Sequence, residues 1–408
     1  MRLARILALA PLAFVLPTHA DDLYRFQVTM NGRTSSFGFQ TTQETIDAFS
    51  NNSLSRYVQG YTGAQAVDIA VDYRGLRIQT AFPNAFGGPA NYTELRFTIP
   101  SLGIDQRFTG VDRDDSADRL FDYLKSSDLL GLINKKLVAV SPFDPIAGNP
   151  NSMMSQMVAN DFAGGMGDAG GRSAGAQAGK ESSPNLIGLG LRFGQYRQAD
   201  VDSKSVTLPL SYTIRSDIDP RRQLIISMPV SRTDVQGATS YYTGLGLAYR
   251  VPLNDYWTVT PSGNYAVTGS KDLGSMAQMA SFSLTSAYVF ELSHMDLTIG
   301  NMVGYYKTLR FSHDGYSYDP GISNTVLRNG VMLSSPLTVF GKAMSIEYSL
   351  IDTRFSGSEL YLSNYHELGV TLGTNRSASS ARSFLRAGAS YLFSSKSKGL
   401  TVNLGYWF

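Results

Sequence analysis

Few residues in this chain could do bond-making chemistry, and their spacing is the place to start. There is no cysteine and there are four histidines, so thiol catalysis, disulfides and thiolate metal sites are excluded. His19 lies in an apolar leader; His294, His313 and His366 are all in the C-terminal half. Ser363-Asn364-Tyr365-His366-Glu367 sets a hydroxyl, an imidazole and a carboxylate within five residues, the ingredients of a hydrolytic triad. In a strand, however, neighbouring side chains point to opposite faces. His366 and Glu367 are then separated: His366 falls on the apolar face near an aromatic rim, and Glu367 points inward. The one dense acid cluster, Asp112-Arg113-Asp114-Asp115-Ser116-Ala117-Asp118, has the 1-3-5-7 spacing of a calcium loop. It lacks the loop's glycine, which is Ala117 here, and its terminal acid, which is Tyr123. The simpler expectation is a helix start, with Asp115 or Ser116 as cap. There is no glycine-rich phosphate loop and no nucleophile elbow. The expectation is a chain without enzyme activity, metal or cofactor, and a net charge of +2 offers nothing to nucleic acid.

What these residues sit on is more telling. Leu400, Val402, Leu404, Tyr406 and Phe408 are bulky and apolar at every second position, and Gly399, Thr401, Asn403 and Gly405 alternate with them. That is a strand with one greasy and one thin polar face. The same alternation recurs from Asn185 onward in twelve segments of about ten residues, the length of a tilted membrane strand. In the clear segments the apolar face carries no charge, which would cost ~2–4 kcal/mol against lipid. Arg192, Arg250, Glu347, Glu367 and Arg386 fall on the opposite, inward face, with Gly, Ser and Thr. A soluble sandwich would instead show Lys and Glu on its outer face. The low charged fraction (17%), 39 glycines and 23 tyrosines also suit a membrane barrel. An even strand count puts both barrel ends on the periplasmic side, so Lys271-Asp272-Leu273-Gly274 faces out.

The N-terminus agrees. Arg2 and Arg5, the apolar run Ile6 to Leu16 and Thr18-His19-Ala20 form a secretory signal peptide with cleavage expected after Ala20. Residues 21–145 read as a small α+β soluble domain. Asn31-Gly32 and Arg74-Gly75 close two hairpins, and a third runs from Tyr92 to Thr109. One helix is expected from Thr42 to about Val58, and another from Ser116 to Lys136 with a break near Gly131. Residues 146–184 hold a short helix opening at Pro150, then a flexible Gly/Ala/Ser linker; residues 185–408 are the barrel. Met153, Met154, Met157, Val158 and Phe162 give that helix an apolar stripe, making it a candidate plug. An apolar stripe gains little in a polar lumen, so packing on its own domain is the first expectation.

A twelve-stranded C-terminal barrel ending in Phe408, with glycine-rich first strand Gly188-Leu189-Gly190-Leu191-Arg192-Phe193, short outer loops and a preceding helix, resembles the translocator domain of autotransporters. The small N-terminal domain makes the solitary, autotransporter-like barrels the nearer match. The resemblance implies outer-membrane lipid as surroundings, with the Sec translocon and the barrel-assembly machinery as biogenesis partners. It implies a Gram-negative outer membrane as location. Two functions follow: a translocator whose own N-terminal domain reaches the surface, or a channel gated by a periplasmic N-terminal domain or helix. A barrel hydrolase is the third and weakest reading.

Overall fold

The computed structural model describes residues 22–63, 65–83, 93–126, 128–166, 185–219, 221–313, 316–374 and 384–407. The segments expected to be signal peptide and flexible linker, and Phe408, lie outside them.

Six strands form the N-terminal sheet: β1 (Tyr24–Met30), β2 (Arg33–Phe39), β3 (Val67–Tyr73), β4 (Leu76–Phe82), β5 (Thr93–Ile99) and β6 (Ile104–Gly110). Their order is β2-β1-β3-β4-β5-β6, antiparallel throughout. Asn31 and Gly32 both take positive φ (50° and 75°), as do Arg74 and Gly75 (55° and 90°), the backbone a two-residue hairpin turn demands. One face carries the core, with Tyr24, Phe26, Val28, Ile69, Val71 and Leu76 buried.

Helices cover that face: α1 (Thr42–Asp47), α2 (Asn51–Tyr57), α3 (Arg113–Ser126) and α4 (Leu129–Val140). The single helix expected over 42–58 is two. Thr41 and Glu44 form a capping box on α1, and Ser50 caps α2. The expected break at Gly131 falls earlier, between α3 and α4. Gly131 lies inside α4, and its missing side chain lets the backbone of Asp319 approach: a Cβ there would come within 2.4 Å of the Asp319 carbonyl oxygen.

The C-terminal part is a closed antiparallel barrel. Its strands are β7 (Leu186–Gln198), β8 (Val201–Arg215), β9 (Gln223–Val235), β10 (Ala238–Pro252), β11 (Trp257–Ser270), β12 (Ser275–Glu291) and β13 (Asp296–Leu309). After a small hairpin, β14 (Phe311–His313) and β15 (Tyr316–Tyr318), follow β16 (Ser323–Val339), β17 (Lys342–Gly357), β18 (Asn364–Thr374), β19 (Phe384–Phe393) and β20 (Ser397–Trp407). The twelve barrel strands pair in chain order, and β20 closes on β7. Each bends back on its neighbour, so no edge is left open. The outward belt is apolar: Leu189, Phe193, Leu245, Phe282, Leu350, Leu400 and Leu404 are each 47–64% exposed.

Two ends of the barrel can be told apart by chain path. The terminus end holds Leu186, Trp407 and the turns at 253–256, 292–295 and 340–341. The loop end holds the connections at 199–200, 236–237, 271–274, 310–322, 358–363 and 394–396. A fifth helix, α5 (Met153–Met166), links the two domains. Asn149 organises its approach: its amide accepts from Asn151, its carbonyl from the Ser152 hydroxyl, and the helix starts three residues later than Pro150.

Candidate functional site

The N-terminal domain is seated on the loop end. The backbone N–H of Thr42 donates to the Asp272 carbonyl at 2.7 Å, Tyr361 to Val138 at 2.7 Å, and Leu362 to Gly148 at 3.2 Å. Tyr24 donates its hydroxyl to the Asp272 carbonyl, and the Ser275 hydroxyl donates to Asn134 at 2.8 Å. Val235, Ala238 and Leu273 from the loop end of the barrel belong to the same hydrophobic core as the domain's sheet.

At the centre of this seam lies a fully buried ion pair. Arg74, carried on the β3–β4 turn, reaches Asp144 at 2.5 Å, with neither side chain exposed. It also donates to the Leu273 carbonyl at 2.9 Å and the Ser275 hydroxyl at 3.1 Å. Burial pulls the Arg74 pKa down, but the Asp144 carboxylate together with Tyr73 and Tyr24 more than offsets it, and the guanidinium stays charged. Arg74→Ala leaves Asp144 buried without a countercharge, a loss of about 3–5 kcal/mol. The expected result is faster limited proteolysis of the N-terminal domain and a lower unfolding midpoint. Unchanged proteolysis would mean the pair does not hold the domain down.

From this seam α5 descends into the barrel. Asn151, just before it, donates to Ser203 at the loop end of β8, at 3.1 Å. At its far end, Arg250 near the terminus end of β10 donates to the carbonyls of Gly164 and Gly165. Fourteen helical residues at 1.5 Å rise span about 21 Å, close to the ~25 Å apolar band of such barrels. Met153, Met154, Met157, Val158, Phe162 and Met166 are all buried, in one cluster with Tyr242, Met279, Ala287, Met302 and Val326 of the barrel wall. The expectation that the stripe packs on its own domain is therefore overturned. The physical reason is that the wall is not uniformly polar: inward positions of β10–β13 and β16 include Tyr242, Ala266, Met279, Met302 and Val326, and these receive the stripe. Gly300 and Gly330, paired across β13 and β16, make a flat notch in this wall. A Cβ at Gly330 would meet the Phe162 ring at 2.8 Å, and one at Gly300 would meet the Met166 sulfur.

A buried carboxylate anchors the helix from within. Asp161 is 3% exposed and accepts from the Tyr306 hydroxyl at 2.6 Å, the Ser262 hydroxyl at 3.1 Å and the Asn264 amide. A carboxylate so buried requires donors of this kind. The sequence reading missed Asp161. The available signal was a lone acid on the apolar helix, matched by Asn264 and Tyr306 at inward strand positions.

The sequence-assigned inward charges sit as follows. Arg250 is buried and bonded to the helix carbonyls and to Gln223. Glu347 pairs with Arg386, and Glu367 with Arg328 at 2.6 Å. Arg328, unassigned from sequence, also lies over the Phe162 ring at 5.2 Å. Arg192 lines a cavity of about 330 Å³ that the helix leaves open on the side of β7–β9 and β18–β20. Leu400, Val402, Leu404 and Tyr406 face outward, 44–53% exposed.

The triad-like residues do not assemble. His366 is on the outer wall, its Nδ1 2.9 Å from Asp352 and its ring beside Phe393. Glu367 faces the lumen, and His294 lies in an exposed turn between β12 and β13. At the acid cluster the cap is Asp112, which accepts the Asp115 N–H at 2.8 Å; the expectation of Asp115 or Ser116 is corrected. Asp115 instead accepts from Val111 and Arg119, and Ser116 from the Gly110 N–H. No group of three or more acids or histidines able to hold a metal occurs among the described residues.

No family model and no curated protein matches the chain. Among solved structures, the β domain of the Bordetella autotransporter BrkA is similar at 14% identity, covering 55% of this chain and 99% of that one, with a TM-score of 0.43. The translocator domain of the autotransporter NalP from Neisseria meningitidis matches at 12% identity, over 63% and 96%, with a TM-score of 0.43. The COG4313 outer membrane channel from Pseudomonas putida F1 matches at 12% identity, over 56% and 97%, with a TM-score of 0.36. By its own ladders and outward apolar belt, the C-terminal part of this chain is a closed, twelve-stranded antiparallel β-barrel of membrane type with a helix in its lumen and an α+β domain on its loop end.

Proposed function

We propose that this protein is a non-enzymatic outer-membrane barrel of a Gram-negative bacterium that carries its own N-terminal domain to the cell surface and holds it there. The observation that supports this reading is the chain path. The domain meets the barrel at the end opposite the barrel's termini, and α5 runs through the lumen between them. With both termini of the barrel in the periplasm, the domain is outside and the helix is what remains of its route. Outer-membrane lipid would surround the belt, and the Sec translocon and barrel-assembly machinery would act in biogenesis. The test is protease treatment of intact cells with an antibody against residues 21–145. Digestion on intact cells is expected; protection until the outer membrane is permeabilised would favour a periplasmic domain.

A second reading, a channel closed by its helix, is supported by the cavity of about 330 Å³ beside α5, lined by Arg192, Ser211 and Asn403. The two readings are compatible if the helix leaves the lumen only rarely.

A further inference from the structure

The outer wall of a transmembrane barrel is covered by lipid, and at the edge of its apolar band the cover is headgroup. On the four adjacent strands β20, β7, β8 and β9 the two edges of that band differ in charge. Toward the terminus end the outward positions are apolar: Tyr406, Ile187, Ile214 and Leu224. Toward the loop end they turn basic: Lys398, Arg197, Lys204 and Arg232, all exposed. The apolar belt begins at the next outward positions Leu400 (53% exposed), Val206 (42%) and Val230 (43%), and on β7 at Phe193 (49%), one outward position beyond Gln195.

The register sharpens this. Lys398 and Arg197 stand directly opposite each other across β20 and β7. Like charges so placed destabilise a sheet unless an anion lies between them. Lys204 is opposite Asp234, and Arg232, opposite Val206, is its diagonal neighbour. Arg197 has Asp202 at 3.7 Å. The sector thus holds four cations against two carboxylates, Asp202 and Asp234. On the other eight barrel strands, the outward cations at this edge are Lys307 and Arg354 among the described residues, and Arg354 is held by Asp352 at 2.9 Å.

We propose that this sector docks a lipid carrying two phosphates, the phosphorylated glycolipid of an outer leaflet. One phosphate lies between Lys398 and Arg197, the other at Lys204 and Arg232. These two pairs sit on neighbouring strand pairs, about 10 Å apart at ~4.8 Å per strand. Lipid is the occupant because the outward wall at this depth has no other neighbour. Phosphate is the chemistry because the excess charge is positive and concentrated. The inference rests on the outer-membrane reading of the barrel.

The test uses the full mature chain purified in detergent and native mass spectrometry against diphosphoryl lipid A, phosphatidylglycerol and phosphatidylcholine. The wild type should retain diphosphoryl lipid A in preference to both others. Each basic side chain near an anionic lipid surface contributes roughly a fivefold preference, so removing four should cut retention by at least about tenfold. The variant is Arg197→Gln, Lys204→Gln, Arg232→Gln and Lys398→Gln together; Lys307→Gln with Arg354→Gln is the control and should retain the lipid. Equal losses in variant and control, retention of phosphatidylcholine as strong as lipid A, or a preference for the single-phosphate lipid would each overturn the proposal. Heat-modifiable mobility in outer-membrane fractions reports separately on the barrel. Its loss in the wild type would sink the outer-membrane reading instead.

Discussion

In planar bilayers the full chain should pass almost no current, while the barrel alone, residues 185–408, should open steps roughly tenfold larger or more. Twelve strands lie between barrels filled by their own side chains and those with open aqueous bores, so the state of the lumen is decided by what is put into it. Here α5 packs across β10–β13 and β16, and the cluster of Tyr196, Leu362, Tyr365 and Leu392 fills the loop-end side of the remaining wall. The N-terminal domain caps that same end through Thr42, Arg74 and Tyr361. Removing domain and helix together takes away both obstructions. Heat-modifiable mobility of the truncated barrel confirms that it is folded before current is compared. Equal conductance in the two proteins would show that the helix does not occlude the pore in a membrane.

Asp161→Ala should unseat the helix without removing it. The substitution leaves the Tyr306 hydroxyl, the Ser262 hydroxyl and the Asn264 amide without their acceptor. Hydrogen bonds to a charged group are worth about 1.5–3 kcal/mol each, and buried donors left unpaired add their own penalty. A net loss of about 3 kcal/mol shifts the seated-to-unseated ratio by roughly two orders of magnitude. The expected readout is flickering current in the otherwise intact protein, and weaker crosslinking between cysteines placed at Met157 and at a facing wall position such as Ala266. Asp161→Asn keeps an acceptor oxygen and should lie between wild type and Asp161→Ala. An Asp161→Ala protein as silent and as well crosslinked as wild type would mean that apolar packing and the Arg250 and Asn151 hydrogen bonds seat the helix without Asp161.

The barrel was legible because its signal is local. Alternation at a period of two, repeated twelve times, needs only the pleat of a strand and the insolubility of charge in lipid. Leu400, Val402, Leu404 and Tyr406 declare the outward face of β20 without any tertiary information. The inward placement of Arg192, Arg250, Glu347, Glu367 and Arg386 follows from the same parity. The separation of His366 from Glu367, which disposes of the triad, is likewise a property of one strand. The hairpin turns at Asn31-Gly32 and Arg74-Gly75 were readable because few residues tolerate positive φ.

What the helix packs against was not local. Its stripe of Met153, Met157, Val158 and Phe162 is equally suited to any apolar surface, and the choice depends on which inward positions from five strands come together. Met279, Met302, Val326 and the paired Gly300 and Gly330 are apart in sequence and meet only when the barrel closes. The same holds for Asp161 with Tyr306, 145 residues apart, and for Arg74 with Asp144 and Leu273. By itself the sequence determined an outward-greasy, inward-polar barrel and a small domain before it. Tertiary structure alone decided that the domain sits on the loop end and the helix in the lumen. Burial there depends on pairwise complementarity between distant surfaces, which a linear pattern does not encode.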